Sequence, residues 1–262
     1  MKANREIPRR TGLARALSKS GFCSRTQALG LVGEGRVRLN GSTTRNPEAP
    51  VRLGTDHIEV DGAPINAAKG IYLMLNKPGG LVTTRLDQKG RETIYSLLQD
   101  VEKWVAPVGR LDMASEGLLL LTNDSAWSAR IASPETHIPK TYHVQINAVA
   151  DQSHLDRLNR GIRSAGDLLV AKNATILRRG KRNSWLEIVL DEGKNRHIRR
   201  MLSELGIEVL RLVRVSIGTV VLGDLPKGKW RPLTDQEKET LAGENDSWGD
   251  GRPRPSNAEA PK

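Results

Sequence analysis

The sequence predicts an α+β fold in two parts: a small N-terminal module of two helices and a hairpin sheet, then a larger mixed, mainly antiparallel sheet with flanking helices. Three observations predict it. Apolar residues near the N-terminus keep helical spacing and then switch to strand alternation. The later strands cluster and read as hairpin-linked rather than as βαβ repeats. The 262 residues exceed a typical domain of roughly 100–200 residues, which leaves room for a core plus a module.

Residues 1 to about 10 are polar and basic without periodicity and read as a flexible arm. Leu13 to Ser20 and Ser24 to Val32 carry helical spacing, with Gly21 ending the first helix and Ser24 placed to cap the second. Gly33 and Gly35 stop that helix. Val37 and Leu39 then alternate with Arg36 and Arg38 in a strand that runs into an Asn40-Gly41 turn, and Asp56 to Val60 alternates as far as Asp61-Gly62. These elements make a module over 12–68, joined by a linker at Ala67-Ala68-Lys69-Gly70 to a body over 70–242.

The body opens on a strand from Ile71 to Leu75 that breaks at Asn76-Lys77-Pro78-Gly79-Gly80. A strand near 81–84, a helix near 92–99, the apolar run Gly117 to Leu121 and a helix from about 124 follow. Strands are expected near 140–148, 184–190 and 209–222, with helices near 151–160 and 195–205. Residues 243–262 turn polar, rich in Gly, Pro, Asn and Ser, and read as a disordered tail.

A net charge of +11 favours an anionic partner, because Lys and Arg that neutralise phosphates release condensed counterions. RNA, DNA and an anionic membrane all satisfy that. The membrane is disfavoured: no apolar run approaches the roughly 20 residues of a spanning helix. The basic opening lacks a following apolar segment and is not a secretory signal, so the cytoplasm is the expected compartment. Cys23 alone represents its residue type, which excludes an intrachain disulfide and a cysteine-rich zinc site, and a buried apolar role suits it better than nucleophilic chemistry. The five histidines show no metal-ligand spacing.

Gly109-Arg110-Leu111-Asp112 precedes Glu116-Gly117 and a run of leucines ending in Thr122-Asn123-Asp124. A carboxylate at the edge of an apolar strand is costly unless paired or functional. On spacing alone, Asp112 capping a turn or pairing with Arg110 weighs as much as catalysis. Farther on, Ile198, Met201, Leu202 and Leu205 mark the buried face of a helix opening near Asn195, whose amide is placed to cap it. Arg196, Arg199 and Arg200 crowd its first turn, with Lys194 adding charge. Cations there oppose the macrodipole and repel one another, a local inconsistency expected where carboxylate or phosphate is bound.

Five ordered segments together resemble a known family. They are Leu75-Asn76-Lys77-Pro78, the Gly109–Asp112 stretch with its leucines, Lys140-Thr141-Tyr142, Asp191 to Met201 (D-E-G-K-N-R-H-I-R-R-M) and Arg211 to Gly218 (R-L-V-R-V-S-I-G). This pattern is similar to that of the ribosomal RNA pseudouridine synthases. Residues 12 to 68, with R-V-R-L-N-G and I-E-V-D-G, resemble the alpha-L RNA-binding motif, which makes Arg15, Lys19, Arg25, Arg36 and Arg38 candidate RNA contacts.

The resemblance implies isomerisation of a specific uridine to pseudouridine in ribosomal RNA, closer to the large-subunit enzymes than to the small-subunit one. It implies Asp112 as the catalytic carboxylate, Tyr142 against the flipped uracil, Arg199 paired with Asp112, and Arg110 helping to hold the nucleotide out of its stack. Lys194, Arg196 and Arg200 are further candidate substrate contacts. No metal or organic cofactor and no obligate protein partner is implied; the expected partner is ribosomal RNA or a ribosomal assembly intermediate.

Two departures from the family pattern stand out: Ala114-Ser115, where Thr or Ser often precedes the small residue, and His197, which stands where Gln is common. For His197 a hydrogen-bonding replacement of Gln is preferred to a general base. A non-catalytic RNA-binding assembly factor is weighed against catalysis and disfavoured by intact Asp112, Tyr142 and Arg199. A DNA-binding regulator using residues 13–32 leaves the larger body unexplained.

Overall fold

A computed structural model of the chain describes residues 10–65, 70–85 and 87–243. The expected N-terminal arm, all of the linker except Gly70, and all of the tail beyond Gly243 lie outside the described residues. The chain divides into two compact units. One holds the described residues up to Tyr72 with Asp100–Ala106 and Leu121–Ser128; the other holds Leu73–Gln99, Pro107–Leu120 and the described residues from Ala129.

In the first unit, β1 (Thr11–Gly12) leads into α1 (Leu13–Lys19), and α2 (Arg25–Gly33) follows. Ser24 caps α2 as expected, in a reciprocal capping box with Gln27. Gly21 and Gly35 take positive φ just beyond the two helices, the left-handed exit that a Cβ disfavours. β2 (Val37–Leu39), β3 (Ser42–Thr43), β4 (Pro50–Val51), β5 (Ile58–Val60) and β6 (Ala63–Pro64) then build two small sheets, β1-β4 and β3-β2-β5-β6. Both Asn40-Gly41 and Asp61-Gly62 carry positive φ at consecutive residues, which matches the right-handed twist of a two-residue hairpin. Leu13, Leu17, Ala28, Val32, Val51 and Val60 pack its core, and Cys23 is buried with them.

Most of the main sheet belongs to the second unit. Its strands are β7 (Tyr72–Lys77), β8 (Ala106–Pro107), β9 (Glu116–Thr122), β10 (Lys140–Ile146), β13 (Asn173–Arg179), β14 (Ser184–Leu190), β15 (Val209–Ile217), β16 (Val220–Val221) and β17 (Trp230–Pro232), in the order β13-β14-β10-β15-β9-β7-β17 with β16 and β8 beside β15 and β9. A separate hairpin, β11 (Ile162–Ser164) with β12 (Asp167–Leu169), stands off the sheet. Flanking helices are α3 (Ser125–Ala132), α4 (Gln152–Arg160), α5 (His197–Ser203) and α6 (Asp235–Gly243). Among the described residues no helix is long and apolar enough to cross a membrane.

Leu118 to Leu121 are wholly buried, which is why β9 is continuously apolar rather than alternating. β9 pairs with β15 in parallel, Gly117 facing Arg214. A Cβ on Gly117 would sit 2.3 Å from the Arg214 carbonyl oxygen, and its φ is +98°, so only glycine fits there.

Several expected elements differ. The strand near 81–84 is a single bridge between Val82 and Thr93, and the helix near 92–99 is one 3-10 turn, Ile94–Leu97. β7 continues through Asn76 and Lys77 instead of breaking there, because Asn76 bonds outward to Leu225 and Lys77 satisfies its charge on loop carbonyls. The helix expected near 195–205 begins at His197, and its N-cap is Arg196 with φ 49°, not Asn195; no side chain caps it.

Candidate active site

A cavity of about 280 Å³ opens within the second unit, beside the loop before β9, the end of α3, β10, β15 and the start of α5. Asp112, Arg110, Tyr142, Lys194, Arg196, His197 and Arg199 line it, although up to 89 positions separate them in sequence (199 − 110). Asp112 is the one carboxylate in that lining, against six Lys or Arg.

The loop carrying Asp112 is held from behind by a wholly buried lysine. Lys77 Nζ donates to the carbonyls of Pro78 (3.0 Å), Asp112 (3.2 Å), Met113 (3.3 Å) and Ser115 (2.9 Å). Burial lowers the pKa of this ammonium to about 8, with Glu116 and Asp112 opposing the shift. Thr83 Oγ1 donates to the Leu111 carbonyl at 2.7 Å, and Gly80 N to that of Met113 at 2.8 Å. Asp112 accepts from Ser115 N through its backbone at 2.9 Å, which tightens the turn and leaves the carboxylate facing the cavity.

The charge partner of Asp112 differs from the expected one. Arg196 Nη1 lies 3.9 Å from Asp112 Oδ2, whereas Arg199 forms no ion pair with Asp112. Arg199 instead donates to the Ala114 carbonyl (3.3 Å) and the Val209 carbonyl (3.4 Å), and its Nε is buried without a partner. Arg196 holds a left-handed backbone at the start of α5. Burial, then the neighbouring Arg196 charge, lowers the Arg199 pKa, with Asp112 opposing. Arg110 is exposed and does not pair with Asp112.

Arg200 lies away from the cavity lining: its guanidinium holds the β11–β12 hairpin through Asp167 at 2.9 Å and through Ser164. That geometry explains one of the three crowded arginines structurally. Lys194 donates to the Leu168 carbonyl at 2.8 Å and pairs with Glu192 at 3.0 Å. His197 is buried, yet neither ring nitrogen has a hydrogen-bond partner, so the expected hydrogen-bonding replacement of Gln is not formed among the described residues. In the N-terminal unit, Arg15 and Lys19 are exposed one turn apart on α1. Arg36 is held by Asp61 at 2.6 Å and by Glu34 at 3.2 Å, Arg38 by the Gly41 carbonyl at 2.7 Å, and Arg25 lies 3.8 Å from Glu48.

Three site residues had no role in the sequence reading: Lys77, Lys140 and Arg214. A signal was present for each, a cation inside an otherwise apolar strand (Leu73-Met74-Leu75-Asn76-Lys77, and Leu212-Val213-Arg214) or two residues before Tyr142.

The family model described as RNA pseudouridylate synthase matches residues 71–204, and the S4 domain matches residues 11–58. An uncharacterized RNA pseudouridine synthase of Aquifex aeolicus is 39% identical over 222 residues, 84% of this chain and 89% of that protein. The ribosomal large subunit pseudouridine synthase B of Bacillus subtilis is 33% identical, covering 87% of this chain and 94% of its own length. A crystal structure of a pseudouridylate synthase superposes with a TM-score of 0.62 at 30% identity, covering 88% of this chain and 99% of that one.

Proposed function

Because the chain belongs to the family of RNA pseudouridine synthases, we propose that it isomerises one specific uridine in ribosomal RNA of the large subunit, with Asp112 as the reacting carboxylate. The observation that supports the site most is the cavity itself: one carboxylate on a clamped loop, surrounded by cations and by Tyr142. The likeness to the Bacillus subtilis protein supports the choice of subunit.

The reaction breaks the C1′–N1 bond and makes a C1′–C5 bond, so the substrate base leaves its stack and turns while held. Tyr142 offers a flat face for it. Asp112 serves as the nucleophile or charge partner beside the sugar and base. Arg110, exposed at the cavity, helps to hold the nucleotide out of its stack, Arg196 lies beside the carboxylate, and Arg199 holds the loop through the Ala114 carbonyl. The N-terminal unit, with Arg15 and Lys19 free of ion pairs among the described residues, anchors RNA through phosphates.

Pseudouridines mapped across ribosomal RNA, from cells with and without the gene, test the reading. Loss of one modification in large-subunit RNA is expected. A loss confined to small-subunit or transfer RNA contradicts the substrate.

A further inference from the structure

Lys140 and Arg214 share one face of the main sheet with Tyr142. Tyr142 stands directly opposite Arg214 across the β10–β15 ladder, and Lys140 lies two residues from Tyr142, so its side chain leaves the same face. All three line the cavity. Arg214 is 4% exposed; its Nε donates to the Leu118 carbonyl at 2.7 Å, while its Nη2 is buried with no partner. The Lys140 ammonium enters no hydrogen bond or ion pair among the described residues. Burial and the neighbouring Arg214 charge lower its pKa to about 8, with Asp191 opposing.

Two underpartnered cations on one half-dry face are a net cost to the free protein, and such a cost persists where a ligand anion offsets it. The exposed Arg110 and Arg196 meet the solvated phosphate backbone more readily. The deeper pair, beside the ring of Tyr142, is matched to charge on the base.

We propose that Lys140 and Arg214 form the subsite that carries the negative charge of the pyrimidine ring while it is detached from the ribose, a proposal that rests on the function given above. When C1′–N1 breaks, its electron pair stays with the ring and gives a uracil anion whose charge spreads over N1, O2 and O4. After the ring turns, a ring electron pair at C5 forms the bond to C1′. The C5 proton then leaves to a base or to water, and N1 takes up a proton. The sum is an isomerisation without oxidant or reductant. The departing electron pair stays with the ring whether Asp112 first meets the base or the sugar, any bond that Asp112 has made to either breaks as the product forms, and cations beside the ring stabilise its charge.

Arg214 on β15 and Asp191 after β14 act on Lys140, and the other titratable groups that line the cavity with it are Arg110 and Asp112 in the loop before β9, Tyr142 on β10, and Lys194, Arg196, His197 and Arg199 around the start of α5. The test is single-turnover conversion of a protein-free large-subunit rRNA transcript between pH 6.5 and 9.5 by wild type, Lys140→Gln and Lys140→Arg. Lys140→Gln is expected to lose on the order of 100-fold in rate while RNA affinity stays within about threefold. Wild type loses rate above about pH 8 as Lys140 deprotonates. Lys140→Arg keeps activity and loses that part of the alkaline decline; an unchanged decline in this variant overturns the assignment, as does a Lys140→Gln variant that loses affinity rather than rate.

A second measurement does not depend on turnover. Barbiturate, a planar pyrimidine that is anionic at neutral pH, is titrated against neutral uracil by calorimetry. Wild type is expected to prefer the anion by at least about tenfold, and both Lys140→Gln and Arg214→Met to lose the preference. Equal affinities in wild type overturn the subsite. Wild type that converts no uridine yet prefers barbiturate contradicts the proposed function and leaves the anion subsite standing.

Discussion

Lys77 Nζ lies 3.2 Å from the carbonyl oxygen of Asp112, one of four loop and turn carbonyls that this wholly buried ammonium holds. The side chain that fixes the position of Asp112 therefore comes from a strand 35 residues earlier. Lys77→Met removes an ammonium shared by four carbonyls, of which those of Asp112 and Met113 keep a backbone donor and those of Pro78 and Ser115 lose theirs, and this should cost about 3 kcal/mol in a urea titration. In the fraction that remains folded, single-turnover rate should fall at least about tenfold with RNA affinity little changed, because a shift near 1 Å in a reacting group is enough for that. A Lys77→Met protein with wild-type rate would show that the loop holds itself.

Gly117→Ala should destabilise by at least about 3 kcal/mol, since the new Cβ meets the Arg214 backbone and the residue keeps a left-handed φ. The midpoint of thermal unfolding measures it. A change within about 0.5 kcal/mol, the scale of ordinary surface substitutions, contradicts the parallel β9–β15 register.

His197 supplies a pH dependence of stability. Burial, first among its causes, lowers its pKa below the usual 6.5; Lys194 and Arg200 act in the same sense and Glu192 and Asp191 oppose. The unfolded chain therefore binds a proton near pH 6.5 that the folded chain still refuses. Stability from this residue is complete above pH 6.5 and is lost as pH falls below it, until the folded pKa is reached. His197→Gln should show a smaller loss between pH 7.5 and pH 5.5 in denaturant midpoints. An equal loss in both proteins contradicts the buried neutral ring.

Replacing Arg15 and Lys19 together by Gln should lower the slope of log affinity against log salt by about 1 to 2, at one phosphate per cation. The rate at saturating RNA should stay near wild type. An unchanged slope contradicts anchoring through α1.

The sequence showed the local parts of this molecule more clearly than the distant ones. Helix limits around Gly21, the Ser24 cap and the two positive-φ turns were legible because each is decided within four residues. Asp112, Tyr142 and Arg199 were singled out by motif resemblance, and the fold brings all three to one cavity. The partner of Asp112 was not legible: Arg196, beside it, is a left-handed residue at the α5 N-cap, and nothing in the sequence of an arginine announces that backbone. Lys77 and Arg214 were hidden for a related reason. A cation in an apolar strand has meaning only once its acceptors, contributed by loops or strands 35 and 96 residues away, are in place.

In the proposed function the Asp112 carboxylate performs the chemistry while many dispersed contacts perform the binding. Asp112→Asn keeps size and most hydrogen bonding but removes charge and nucleophilicity. Single-turnover conversion of a uridine-labelled large-subunit rRNA fragment, with affinity for the same fragment measured in parallel, tests it most directly. Affinity within about threefold of wild type and no detectable pseudouridine is the predicted result; appreciable conversion by the Asp112→Asn protein would contradict the account.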